Sequence, residues 1–459
     1  MRTYINELAD KKGEIVDIYG WVNTRRDQGK MIFLDLRDIS GVVQAVILPN
    51  SQSLSIGKTI REEFVVKITG KVNQRPQKNI KQDAQNGDIE LEIIKISILN
   101  QSETLPFPIN SDTRKIEEST RLRYRYLDMR NNRLHKNIVN RSKIQHFIRN
   151  YLHNQNFIEV ETPLLSAPTP EGARSFVVPS RIHENQFYSL PQSPQQYKQL
   201  LMVGGFEKYF QFAKCLRDED TRGDRQPEFT QLDMELSFVT EEQIMQLNEK
   251  LLINIVKKYY PEKEIQQIPF PRMSYAEAME KYGSDRPDIR QDKNNPNLLA
   301  FLWVIDFPMF EKTGEENFDG TGEWTFTHNP FSKPRDEYFN DFINQQNIDQ
   351  ILSTQYDITL NGFEIGGGSL RNYHSDALRK TFQIMGYDDN RIQDNFGHML
   401  QAMDFGAPPH GGIAWGFDRL MMILENEPNI REVIPFAKTG DGKDLLMNAP
   451  AYLTPKKKI

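Results

Sequence analysis

Cys215-Leu-Arg-Asp-Glu-Asp-Thr-Arg-Gly-Asp-Arg-Gln-Pro-Glu-Phe-Thr-Gln-Leu-Asp-Met-Glu-Leu-Ser-Phe238 is the stretch from which the fold is read. Alternation of apolar and polar residues flanks a charged loop holding Gly223 and Pro227, which predicts two strands joined by that loop. Side chains alternate along a strand, so Arg217 and Glu219 point one way and Asp218 and Asp220 the other. On the return, Phe229, Gln231, Asp233 and Glu235 share a face, while Leu232, Met234 and Leu236 fill the opposite one. One face suits a core; the other offers an arginine, an aromatic ring and carboxylates. That set suits an adenine nucleotide, because a guanidinium grips phosphate as a fork and a phenyl ring stacks on a base. On charge alone, a solvated hairpin would look the same.

The chain around this hairpin has 459 residues, enough for two or three domains. Charged residues at 26% and aromatics at 10% are ordinary globular usage and argue against disorder. No apolar run reaches signal-peptide or membrane-span length, so cytoplasm is the default expectation and no membrane partner is implied. Cys215 is the only cysteine, which excludes an internal disulfide and a cysteine zinc site. The net charge of −6 does not advertise a nucleic-acid binder.

Upstream, residues 14 to 48 alternate through three strand-like runs with turns at Asp27–Lys30 and Ile39–Gly41. A short helix over 51 to 62 and strands from Phe64 and Ile89 complete five strands, the pattern of an OB-fold barrel. On its surface Arg25, Arg26, Phe33 and Gln44 would suit RNA: cations for phosphate, a ring for stacking, an amide for a base edge. Ordinary strand surface would read the same. From 105 to about 130 the chain crosses Pro106 and Pro108 into four arginines from Arg121 to Arg130, able to face an RNA backbone or to form a packing strip; this is read as a hinge.

Downstream, helical spacing over 132 to 155 leads into a strand ended by Pro163, and 240 to 283 reads as helical. Tyr356-Asp-Ile-Thr-Leu-Asn-Gly-Phe-Glu-Ile-Gly-Gly-Gly-Ser-Leu-Arg371 predicts a hairpin in which Asp357 and Glu364 are neighbours, a usual way to hold Mg²⁺ beside phosphates. The glycines at 366 to 368 fit close ligand approach or a bulge equally. Gly406-Ala-Pro-Pro-His-Gly-Gly-Ile-Ala-Trp-Gly-Phe-Asp-Arg419 runs as a strand into a helix whose first turns carry Arg419.

The central stretch resembles motif 2 of the class II aminoacyl-tRNA synthetases, in the bacterial aspartyl-type form. The 132–163 segment resembles motif 1 and the one ending at Arg419 motif 3, so the likeness runs from about Trp21 to Lys438. It implies an α+β chain: an OB-fold anticodon-binding domain over 1–104, a linker over 105–130, and a catalytic domain with a helix-flanked antiparallel sheet over 131–459. It implies ATP-dependent ligation of L-aspartate to tRNA(Asp) through an aspartyl-adenylate, with Mg²⁺ on Asp357 and Glu364, no zinc, and a homodimer with Pro163 in its interface.

The likeness assigns residues as well. Arg217 and Arg419 would be catalytic, gripping the α- and γ-phosphates. Asp218, Glu219, Gln226, Phe229, Glu364, Gly416, Phe417 and Asp418 would join them around ATP. Glu171, Ser193, Gln195, Lys198, Gln231, Asp233, His328 and Arg371, with Arg217, would surround aspartate. Lys198 and Arg371 would select its side-chain carboxylate over an amide. Arg26, Phe33, Gln44 and Glu90 would read the anticodon, Phe33 by stacking on its central base. The chain departs from the pattern in three places: Val46 replaces a common aromatic, Asn329 a second histidine, and a large insert is missing near 286–301. A relaxed enzyme charging tRNA(Asn) too, or a silent RNA-binding paralogue, remain the alternatives.

Overall fold

Period-two patterning in the first hundred residues closes into a barrel. The computed structural model describes residues 2–168, 172–314 and 322–452, and its contacts divide into two units, Met1–Lys115 and Ile116–Ile459. In the first, β1 (Ile15–Asp27), β2 (Ile32–Asp38), β3 (Gly41–Ile47), β4 (Val65–Gln74) and β5 (Ile89–Asn100) pair in the closed order β1-β2-β3-β5-β4. Helix α1 (Leu54–Thr59) falls between the third and fourth strands, as the spacing predicts for an OB-fold. Alternate residues such as Leu34, Leu36, Ala45 and Leu91 fill the interior with no exposed surface to speak of.

The second unit is an eight-stranded sheet. Its strands are β6 (Ile158–Glu159), β7 (Lys208–Leu216), β8 (Glu228–Ser237), β9 (Arg272–Ser274), β10 (Phe301–Ile305), β11 (Gln355–Leu360), β12 (Phe363–Leu370) and β13 (His410–Gly416). They lie in the order β9-β10-β11-β12-β13-β8-β7-β6. The sheet is not purely antiparallel: β9 pairs with β10, and β6 with β7, in parallel. Each parallel partner is reached through a long connection containing a helix, which is what parallel pairing requires.

Leu232, Met234 and Leu236 of β8 face a core shared with α4 (Asn132–His153), α6 (Glu241–Tyr259) and α7 (Phe417–Leu424). The helix predicted over 240 to 283 ends at Tyr259, ahead of Pro261, and a separate helix starts at Tyr275. Pro261, Pro269 and Pro271 forbid continuity between them.

The stretch read as a hinge contains α2 (Glu118–Arg123) and α3 (Arg125–Asp128), both within the second unit. Arg121 forks onto Glu432 at 2.8 and 3.1 Å, and Arg125 pairs with Asp128 at 2.9 Å and donates to the carbonyls of Ile434 and Pro435. Both guanidinium groups are buried, so these two arginines pack the unit and cannot face an RNA backbone.

Candidate active site

A contrast of residue size across four strands makes the site. In one cross-strand row stand Asp233 on β8, Ala414 on β13, Gly367 on β12 and Asp357 on β11. The next row on that face is Glu235, Gly412, Ser369 and Gln355. Small residues in the two central strands form a floor, and polar side chains on the flanking strands stand beside it. A cavity of about 400 Å³ opens there, within the size range of small-ligand sites.

The glycine run serves this floor. A Cβ on Gly367 would lie 2.5 Å from Asp357 Oδ1, and one on Gly368 2.0 Å from the Gly412 carbonyl oxygen. Just before the run the register slips: Ile358 pairs with Gly366, but Thr359 pairs with Glu364. Without that bulge Glu364 would share the face of Gly366; with it, Glu364 turns to the face of Thr359 and Asp357. Asn361 and Gly362, both at positive φ, close the hairpin between them.

At one end of the cavity lies a buried set of four charges. Lys198, on α5 (Gln195–Val203), reaches Asp233 at 2.7 Å and Glu235 at 3.2 Å. Arg371 forks onto Glu235 at 2.9 and 3.2 Å and donates to Ser369 Oγ at 2.7 Å. All four charged side chains are 3% exposed or less. Asp233 and Glu235 share this environment and titrate oppositely. Burial pushes the Asp233 carboxyl up against the pull of Lys198. In Glu235 burial is outweighed, chiefly by Arg371 and then Lys198, which hold it at about 2.

Arginines occupy the other end. Arg217 lies over the Phe229 ring, 5.2 Å from its centroid, and donates to the Gln192 carbonyl. Arg419, in the first turn of α7, pairs with Asp224 at 3.1 Å and donates to the Glu364 carbonyl. Gln226 accepts from the Lys438 N–H, leaving its Nε2 buried without a hydrogen-bond partner, and Gln195 Nε2 is buried in the same condition. Both amides line the cavity and can donate into it.

Ser193, Gln195, Lys198, Arg217, Glu219, Gln226, Phe229, Gln231, Asp233 and His328 all line this one cavity, as do Asp357, Glu364, Arg371, Gly416, Asp418 and Arg419. Three candidates stand differently. The Phe417 side chain is wholly buried against Phe212, so only its backbone is available to a ligand. Asp218 is exposed outside the cavity lining. Glu171 falls outside the described residues. Asp418 is committed to Arg141 at 2.5 Å and to the Thr230 N–H at 2.8 Å, a structural anchor.

His328 faces the cavity with its ring edge-on to Phe307, and the surrounding protein lowers its pKa by desolvation. Asp357 is buried, accepts from Gln355 Nε2 at 2.7 Å, and has its pKa raised, first by burial and then by Glu364. A buried carboxylate whose ionisation is opposed by burial and by a second carboxylate in the same cavity fits a divalent cation, which would relieve it. No group of three or more His, Cys, Asp or Glu side chains that could hold a metal ion occurs among the described residues.

Sequence reasoning put Glu235 on the correct face and gave it no role; it passed over Gln355 and Ser369. In the barrel, Phe33 pairs with Arg26 on one side and Val46 on the other, and Asp35 with Gln44. Val46 pairs with Glu92 on β5, so Glu90, two residues back, shares the outward face with Gln44. Arg26 is pinned there by Asp35 at 3.1 Å and Gln44 at 3.3 Å. Val46 is buried.

Residues 117–440 match the family described as tRNA synthetases class II (D, K and N), and residues 16–99 match the OB-fold nucleic acid binding domain. The chain is 36% identical to the aspartate–tRNA(Asp/Asn) ligase of Pelagibacter ubique over 96% of its own length and 95% of that protein's. It is 34% identical to the aspartate–tRNA ligase of Staphylococcus aureus, covering 97% and 95%. The 572 aligned positions with the Pelagibacter protein exceed the roughly 440 residues that 96% of 459 supplies, so about 130 positions have no counterpart here. Among solved structures, asparaginyl-tRNA synthetase from Pyrococcus horikoshii superposes with a TM-score of 0.76 at 22% identity, covering 99% of this chain and 100% of that one. No helix of the described residues is long and apolar enough to cross a membrane.

Proposed function

The chain belongs to the class II tRNA synthetases of the D, K and N type, and on that premise we propose that it ligates L-aspartate to tRNA(Asp) through an aspartyl-adenylate. One observation carries this reading: a single cavity has Lys198 and Arg371 at one end and Arg217 and Arg419 at the other. The first pair suits a side-chain carboxylate and the second a polyphosphate.

The α-carboxylate of aspartate is ionised at pH 7, so its attack on the ATP α-phosphate needs no general base. A bond forms between a carboxylate oxygen and phosphorus, and pyrophosphate leaves. The residues contribute alignment and charge neutralisation. Arg217 stabilises the charge that builds on the α-phosphate, Arg419 holds the γ end, and Phe229 offers its ring to the adenine. Asp233 and the Gln195 amide take the substrate ammonium and α-carboxylate region, while Lys198 and Arg371 hold the β-carboxylate. In the second step a hydroxyl of the terminal ribose of tRNA attacks the acyl carbon, and AMP leaves. Asp357 and Glu364 would hold Mg²⁺, which when bound neutralises phosphate charge.

Leu164 and Leu165, next to Pro163, are exposed and would suit cover by a second copy, so a homodimer belongs to the proposal; a cytoplasmic location belongs to it through the family membership. A relaxed enzyme charging tRNA(Asn) as well is the second reading, favoured by the names of the Pelagibacter and Rubrobacter xylanophilus relatives, both aspartate–tRNA(Asp/Asn) ligases.

Amino-acid-dependent ATP–pyrophosphate exchange tests the chemistry without tRNA. Aspartate should support exchange, with asparagine and lysine near background. Absence of exchange with aspartate from folded protein and Mg²⁺ would sink the assignment. Parallel charging of tRNA(Asp) and tRNA(Asn) then separates the two readings.

A further inference from the structure

Asp357 does not set its own direction. Its Oδ1 accepts a hydrogen bond from Gln355 Nε2 at 2.7 Å, and Gln355 is itself buried, at 4% exposure. An amide can present either end to a carboxylate, and only the NH₂ end is attractive. The choice is made on its far side. Gln355 Oε1 faces two donors, Asn329 Nδ2 at 3.3 Å and Ser332 Oγ at 3.4 Å. Asn329 is fixed in turn, because its Oδ1 accepts the Phe331 N–H at 3.0 Å and so its Nδ2 must point at Gln355. Turning the Gln355 amide over would set NH₂ against NH₂ on one side and oxygen against carboxylate on the other.

A serine pair supports the same orientation. Ser332 has one hydroxyl proton and faces two oxygens, Gln355 Oε1 and Ser369 Oγ, the latter at 2.9 Å. Ser332 donates to Ser369 Oγ, which also accepts from Arg371, so the single Ser332 proton is shared between Ser369 and Gln355 Oε1, and Asn329 is the donor that fixes the Gln355 amide. Space for the arrangement comes from Gly367, whose missing Cβ would sit 2.5 Å from Asp357 Oδ1 and 3.4 Å from Gln355 Nε2.

We propose that Gln355 is a positioning residue that aims the Asp357 carboxylate at a divalent cation, and that Asn329 locks the Gln355 amide in the orientation this needs. The inference rests on the reading above in which Asp357 and Glu364 hold the cation. It gives a use to the asparagine that departs from the family pattern.

The test is Mn²⁺ binding in the presence of a non-hydrolysable ATP analogue, followed by the electron paramagnetic resonance of free Mn²⁺. Gln355→Met keeps volume and removes both hydrogen bonds, and should weaken Mn²⁺ binding about tenfold or more. Asn329→Leu should weaken it by a smaller factor, about threefold. Because Asn329 acts through Gln355, the double variant should be no worse than Gln355→Met alone. The KM for aspartate should move little in either. Mn²⁺ affinity in Gln355→Met within about twofold of the unaltered protein overturns the proposal, as does full additivity in the double variant. Should Gln355→Met not fold, unchanged Mn²⁺ affinity in Asn329→Leu overturns it equally. Unaltered protein that takes up no Mn²⁺ beside the analogue would instead remove the cation assignment itself, and a missing aspartate exchange would remove the reaction.

Discussion

Glu235 has no exposed surface and stays ionised, with its pKa held at about 2, because Arg371 grips it through two hydrogen bonds and Lys198 stands 3.2 Å away. It holds Arg371 in place, and the Arg371 guanidinium also meets Ser369. Glu235→Gln keeps the shape and removes the charge, leaving a buried cation under-compensated. Losing one partner of a buried pair costs about 3 kcal/mol or more. Chemical denaturation should show a loss of about that size, and exchange assays a rise in aspartate KM of at least about tenfold. Unchanged stability together with unchanged KM would mean that Arg371 needs no such partner. Alternation along the strand put Glu235 on the functional face from sequence alone. Its partner lies more than a hundred residues away, and nothing local in either stretch names the other.

At the scale of elements, the hairpin carrying Asp357 and Glu364 shows how far patterning reaches. Its two strands and its Asn361-Gly362 turn follow from the sequence. The slip that turns Glu364 onto the face of Asp357 does not, because three glycines fit ligand approach and a bulge equally. Likewise, the parallel pairs at both sheet edges depend on where long connections return, and the arginines of α2 and α3 read as either an RNA strip or packing until Glu432 is set beside them. That carboxylate binds Arg121 at 2.8 Å and Arg133 at 2.8 Å and ties α2 and α4 to the segment after α7. It is buried, which alone would raise its pKa, yet the two arginines hold it at about 2 against an ordinary 4.5. A depressed folded-state pKa stabilises fully above pH 4.5, and that contribution is lost as pH falls from 4.5 toward 2. The shift corresponds to about 3 kcal/mol. Urea unfolding across that window should show the decline, and Glu432→Gln should be less stable at pH 7 with a shallower acid loss. Parallel pH profiles for the two proteins would assign the acid sensitivity elsewhere.

At the scale of the whole molecule, the division into two units predicts that their functions can be separated by mutation. Phe33 belongs to the first unit and stands on the outward face of its barrel, between Arg26 and Val46, half-buried and so open to a stacking partner. The cavity proposed to take aspartate and ATP is lined wholly by the second unit. Stacking of one base on an aromatic ring contributes about 1–3 kcal/mol, so Phe33→Ala should lower kcat/KM for tRNA charging by about fivefold to a hundredfold. ATP–pyrophosphate exchange with aspartate should stay as it was, since no group of that cavity is touched. Val46, paired with Phe33, is buried and aliphatic, which leaves Phe33 as the ring on that row and sharpens the expectation. Should charging and exchange fall together, Phe33 would be a core residue whose loss unfolds the chain, and circular dichroism of the variant would show it. Should neither fall, the tRNA would be read from another face of the barrel, and Gln44 and Glu90 would lose their assignment along with Phe33.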